Sequence, residues 1–272
     1  MNFSDKLAAA WAATNSLVCV GLDPEPKKFP DKFRDAPGGI FEFNRAIIDA
    51  TRDLVCAYKP QFAHYAAHAA ENQLEHTIDY IKSTCPNAIV ILDAKRGDMG
   101  NTAEHYALEA FERYDADALT VNPYLGSDSV EPYLKHADKG VVILCRTSNP
   151  GAKDFQDLDV GGGRKLFQYV AEHVAKHWNS NGNCMLVTGA TYPEDLADIR
   201  TRVGDMPLLV PGVGAQGGDV AKVMAAGKTK AGTGLVISSS RAILYASSGE
   251  DFASAARKAT LQLRDSINAH RA

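Results

Sequence analysis

Between Ile91 and Asp98 the chain reads ILDAKRGD, two carboxylates and two cations delivered as an apolar run ends. Asp93 and Lys95 stand two apart, so on a strand their side chains share one face, about 6–7 Å apart, with Ala94 on the other. Asp98 lies past Gly97, where the pleat no longer sets direction. Asp23 in GLDP and Lys59 in YKPQF each close another apolar run beside a proline. If these groups meet, they form an alternating set of Lys and Asp charges. Every member of such a set stays ionised, because an opposite neighbour offsets each burial penalty. Core strands do not need charged ends like these, so the set marks a site.

Other motifs are weaker. PGVGAQGG carries G-x-G-x-x-G at Gly212, Gly214 and Gly217, yet no carboxylate stands between Lys228 and Ala242, where a dinucleotide site needs one. The same loop suits a phosphate held by backbone N–H groups, with Gln216 and Arg241 as added donors. His64 and His68 have the i, i+4 spacing of a metal pair on a helix, but no third His or Cys ligand is near, and packing or surface roles fit them better. The serines offer no G-x-S-x-G elbow.

These residues need a scaffold that brings distant strand ends together. Eight short apolar runs recur, at 16–23, 54–62, 87–95, 118–124, 140–148, 184–191, 207–214 and 234–241. Most are continuous rather than alternating, as parallel strands covered by helices are. Helix-like stretches lie between them, among them 41–53, 101–114, 163–178 and 217–227, and a last one at 250–270 follows the eighth run. The N-terminal stretch is helical in spacing, with Ser4 as its cap candidate. Eight βα units predict an α/β fold, a single (β/α)8 TIM barrel spanning 1–272, with its site where strands end and βα loops begin. The strand ends deliver Asp23, Lys59, the Asp93–Lys95–Asp98 group, Asn122, Ser148, Gly189, the loop 211–219 and Arg241.

Composition narrows the function. At 45% apolar and 23% charged residues the chain is ordinary for a globular protein. A net charge of −4 argues against a general nucleic-acid binder. Five scattered cysteines without a C-x-x-C pair suit free thiols in a reducing cytoplasm. No signal peptide and no apolar run of membrane-spanning length is read.

Taken together, VGLDP, YKPQF, LDAKRGDMGNTA, NPYLGSDS, RTSNPGA, PGVGAQGGD and SSSRAI resemble the orotidine 5′-monophosphate decarboxylases, in that family's order from residue 20 to 242. NPYLG and TSNPG are similar to its bacterial second type. The resemblance implies conversion of orotidine 5′-monophosphate to uridine 5′-monophosphate, the last step of UMP synthesis, without a cofactor or metal. It assigns Asp23 and Lys59 to the ribose hydroxyls, Asp93 to the departing carboxylate and Lys95 to proton donation. Ser148 would contact the pyrimidine, and Pro211, Gln216 and Arg241 would line the uracil and phosphate ends. It further implies a homodimer in which Asp98 and Thr102 reach the partner's site. Met99 stands where Ile is common, and SSSRA replaces a Gly-Arg-Ser pattern. The alternative is a metal-dependent sugar-phosphate decarboxylase or aldolase on the same barrel. Those relatives share D-x-K-x-x-D but carry an acidic metal ligand after strand two, where this chain has Lys59.

Overall fold

Eight runs rich in Val, Ile and Leu form eight parallel strands in the computed structural model, which describes residues 1–213 and 219–272. They are β1 (Val18–Leu22), β2 (Ala57–Pro60), β3 (Ile89–Arg96), β4 (Ala118–Val121), β5 (Gly140–Arg146), β6 (Cys184–Thr188), β7 (Leu208–Pro211) and β8 (Leu235–Ser239). Each pairs with the next and β8 closes on β1, giving a barrel with sequential strand order. Helices on the outside and packed side chains within bury every residue of β1, β2, β4, β6 and β8. That double coverage is why the runs are mainly apolar rather than alternating. At the N-terminal end of the barrel, helix Phe3–Thr14 packs the Phe3 ring against Gly140, where an added β-carbon would lie 2.5 Å from the ring.

β3 departs from the pattern. Its first five residues are buried and its last three are not, and its register with β4 shifts between Leu92 and Arg96. Lys95 sits in this irregularity with φ +49°, left-handed backbone for a residue with a side chain. The pleat therefore does not run unbroken through Asp93–Lys95, as the spacing alone predicts. Ala94 still packs against the core.

Three local expectations change. Asn2, not Ser4, caps the first helix by accepting the Asp5 N–H, while the Ser4 hydroxyl donates to the Gly182 carbonyl. The stretches read as helices over 101–114 and 163–178 are α-helical only over Gly100–Leu108 and Leu166–His173. Each then widens into a π-helical turn, Glu109–Arg113 and Val174–Trp178. Helix Phe62–Ala66 ends before His68, so His64 and His68 do not share it; His64 Nδ1 lies 3.1 Å from the Pro24 carbonyl oxygen.

Candidate active site

At the C-terminal mouth of the barrel a cavity of about 600 Å³ is lined by Lys59, Asp93, Lys95, Thr120, Ser148 and Pro211, with Val187 and Leu209 among its apolar wall. Asp93, 7% exposed, is its electrostatic centre. One carboxylate oxygen accepts from Lys59 Nζ at 2.9 Å. The other accepts from Lys95 Nζ at 2.6 Å and from the Thr120 hydroxyl at 2.9 Å. Lys59 also faces Asp23 at 4.0 Å. The four charges read from the sequence as one alternating set are thus brought together, from the ends of β1, β2 and β3.

Charge balance sets their protonation. Burial alone would raise the Asp93 carboxyl, but Lys59 and Lys95 outweigh it and hold the group well below its ordinary 3.8. Burial would likewise strip the proton from Lys59, yet Asp93 and Asp23 reverse the effect and move its ammonium above 10.5. Cys19, buried inside the barrel near these charges, goes the other way: burial pushes its thiol up to about 12, and it stays neutral. Asp93 and Lys59 thus stand as a buried ion pair at neutral pH.

The main chain at Lys95 carries strain. A non-glycine residue in the left-handed region costs on the order of 1–2 kcal/mol and persists only where its surroundings over-determine it. Here the Lys95 N–H donates to Thr120 Oγ1 at 2.9 Å. Arg96, the second cation of the motif, points away from the cavity. It makes a bidentate pair with Glu109 at 2.9 and 3.1 Å, and its guanidinium lies between the rings of Phe62 and Tyr106. So the four charges of ILDAKRGD have different jobs: Asp93 and Lys95 face the cavity, and Arg96 anchors the strand end to its surroundings.

Asp98 does not join them. Its carboxylate accepts only the adjacent Met99 N–H among the described residues, and Thr102 is exposed on helix Gly100–Leu108.

Ser148 reaches the cavity because a glycine follows β6. A β-carbon on Gly189 would lie 2.0 Å from Ser148 Oγ, and that hydroxyl is buried with no hydrogen-bond partner among the described residues. The segment after β5 is pinned from two sides. Gln156 accepts the Thr147 N–H and donates to its hydroxyl. Buried Arg146 pairs with Asp195 and Asp157. Arg241 is exposed just after β8, with no carboxylate within ion-pair distance among the described residues. Gln216 lies outside the described residues. A larger apolar cavity of about 810 Å³ beyond β4 and β5 has no carboxylate, lysine or arginine in its wall, so the ionic chemistry belongs to the mouth.

Comparison with known proteins decides the lineage. Residues 16–259 match the family described as Orotidine 5′-phosphate decarboxylase / HUMPS family. The chain belongs to that family. It is 61% identical over 271 residues to the orotidine 5′-phosphate decarboxylase of an Azoarcus species, covering all of both chains. It is also 61% identical over 274 residues to that of Cellvibrio japonicus, again over all of both. Among solved structures, Leishmania donovani OMP decarboxylase superposes with a TM-score of 0.85 at 37% identity, covering 100% of this chain and 99% of that one.

Within a family whose description spans two groups, the strand ends carry the distinction. The end of β2 holds Lys59 in an ion pair with Asp93, and a charged ammonium has no lone pair for a metal. Among the described residues no three His, Cys, Asp or Glu side chains are grouped to hold a metal ion. Among the cavity residues that sequence reading missed are Thr120 and Thr191. Thr120 gave little signal, because a β-branched residue in a strand reads as packing.

Proposed function

We propose that the protein decarboxylates orotidine 5′-monophosphate to uridine 5′-monophosphate. The observation that carries this is Asp93, buried, ionised and clasped by two lysines at the wall of a nucleotide-sized cavity. The names of the relatives at 61% identity support it.

In this reading the orotate carboxylate lies beside Asp93. Two like charges about 4 Å apart repel by roughly 4 kcal/mol at an effective dielectric near 20, and the repulsion is relieved as the C6–carboxyl bond breaks and CO2 leaves. The bonding pair stays on C6. Lys95 Nζ, bound to the Asp93 oxygen nearest that point, stabilises the growing negative charge and transfers a proton to C6, then regains one from water. One such pair does not supply the whole acceleration, so contacts far from C6 contribute binding energy that is used there. Asp23 and Lys59 would hold the ribose hydroxyls. The partnerless Ser148 hydroxyl, with Pro211, would meet the pyrimidine, and Arg241 with Gln216 would take the phosphate.

The working unit we infer is a homodimer that shares its sites. Asp98 turns from its own cavity, and the neighbouring surface exposes Met99 at 61% and Leu108 at 41% beside Thr102. An apolar surface of this kind, next to a carboxylate without a charged partner, supports a contact with a second copy. Among the described residues no helix is long and apolar enough to cross a membrane. The five buried free thiols support a cytoplasmic setting.

The deciding experiment follows orotidylate absorbance after adding EDTA-treated protein. The expected result is full turnover, and loss of more than 99% of it in Lys95→Ala with an unchanged melting curve. Activity in that variant within about tenfold of wild type, a loss of only ~1.4 kcal/mol, would remove Lys95 as proton donor. Orotidylate left untouched, with a sugar phosphate turned over only when a divalent cation is present, would favour the sugar-phosphate reading.

A further inference from the structure

Thr120 holds the one hydroxyl that touches both ends of the Lys95 problem. It is 1% exposed at the end of β4. A hydroxyl has a single proton, and this one is given to Asp93 Oδ1 at 2.9 Å. Its lone pair accepts the Lys95 main-chain N–H at 2.9 Å. The same Asp93 oxygen receives Lys95 Nζ at 2.6 Å. The three residues therefore close a ring: Lys95 main chain to Thr120, Thr120 to Asp93, Asp93 back to the Lys95 side chain. The ring sits where β3 slips against β4 and Lys95 takes φ +49°.

We propose that Thr120 is the positioning residue for Lys95, holding the strained turn of β3 and the Asp93 carboxylate to one point so that the ammonium is presented at a fixed place. A lysine side chain that is 45% exposed on a flexible four-carbon stem has many rotamers of similar energy. Tethering its main chain directly to this hydroxyl, and its ammonium to it through Asp93, removes most of them. Thr120 has no proton left for a substrate, so its effect passes through its neighbours. The inference deepens the decarboxylase reading and rests on it. Arg96, clamped by Glu109 on the far side, holds the next residue and leaves Lys95 itself to Thr120.

The test compares Thr120→Val, which keeps the shape and deletes both bonds, with Thr120→Ser, which keeps the hydroxyl. Thr120→Val is expected to lower kcat about 100-fold, the scale of a 1 Å misplacement, with KM and affinity for uridine 5′-monophosphate changed by less than about threefold. Thr120→Ser is expected to recover most of kcat. A crystal structure of Thr120→Val is expected to show Lys95 released from positive φ and its ammonium moved off Asp93. Should valine prove too disruptive to fold, Thr120→Ala reads the same loss. The proposal is overturned if Lys95 keeps its backbone and its Asp93 contact in the valine variant, if kcat stays within threefold of wild type, or if serine fails as badly as valine. A wild-type protein that leaves orotidylate untouched would instead overturn the decarboxylase reading, and the crystal structure would still decide the role of Thr120.

Discussion

Asp93 shows how a buried charge can be structural and chemical at once. Removing its charge would leave Lys59 buried with only Asp23 at 4.0 Å to answer it. Asp93→Asn is therefore expected to lose about 3 kcal/mol of stability in urea denaturation, the usual scale for orphaning one partner of a buried pair. Lys95→Ala removes a half-exposed partner, leaves Asp93 its bonds from Lys59 and Thr120, and should stay within about 1 kcal/mol. The difference has a pH signature. Asp93 is depressed below 3.8, so its contribution is present above that value and is lost as pH falls through the lower, folded-state one. Lys59 is raised above 10.5, so its contribution is present below that value and is lost only as pH rises past it. The stability gap between wild type and Asp93→Asn should thus be flat from about pH 5 to 9, shrink in acid as Asp93 is protonated, and shrink in strong base as Lys59 loses its charge. A gap that closes between pH 5 and 7 would mean that Asp93 titrates there and is not held ionised. At this scale the sequence was informative about which side chains meet and less so about how. Period two predicted that Asp93 and Lys95 share a face; they meet across a left-handed turn tied to Thr120, and one sequence holds no sign of that turn.

Among the elements, strands were more legible than helix ends. A strand covered on both sides announces itself by continuous Val, Ile and Leu, and all eight runs contain one. The helices following β3 and β5 read as uninterrupted because apolar spacing of three and four residues persists into their last turns. Hydrogen bonding to the fifth residue widens those turns without disturbing that pattern. In the proposed reading the loops after β7 and β8 take the phosphate. Arg241 leaves β8 exposed, with no competing carboxylate among the described residues, so its guanidinium is available for bidentate contact. Arg241→Ala is expected to raise KM for the nucleotide at least tenfold, and to narrow the preference for nucleotide over nucleoside by a similar factor. Steady-state kinetics on both substrates checks this. Unchanged discrimination would move the phosphate elsewhere.

The whole molecule, by its own fold, completes a barrel but leaves Asp98 and Thr102 looking outward. Mixing Lys95→Ala with Asp98→Ala under subunit exchange separates sharing from self-sufficiency. In a shared-site dimer one heterodimer site carries both lesions and the other carries none, so activity should return towards half of wild type per heterodimer. Native mass spectrometry verifies the exchange. Activity that stays at the level of the two parents, with heterodimer present, would mean that each barrel works without a borrowed carboxylate. Nothing in the pleat or in the hydrophobic pattern could have located Asp98, because it follows Gly97 off the end of the strand; the family resemblance alone supplied its destination.

The contact between Gly189 and Ser148 bears on how this enzyme can be re-engineered. A methyl group at position 189 would occupy the space of the Ser148 side chain, so a residue with no functional group of its own governs which rotamers are open to Ser148, the residue proposed to meet the pyrimidine. Saturation mutagenesis should find Gly189 as intolerant as the residues that meet substrate. Libraries that vary position 148 alone will meet the wall of β6 on one side. Altered base specificity will come more readily from varying 148 together with Thr191, which lines the same cavity from the segment just after that wall and has a buried hydroxyl to spare among the described residues.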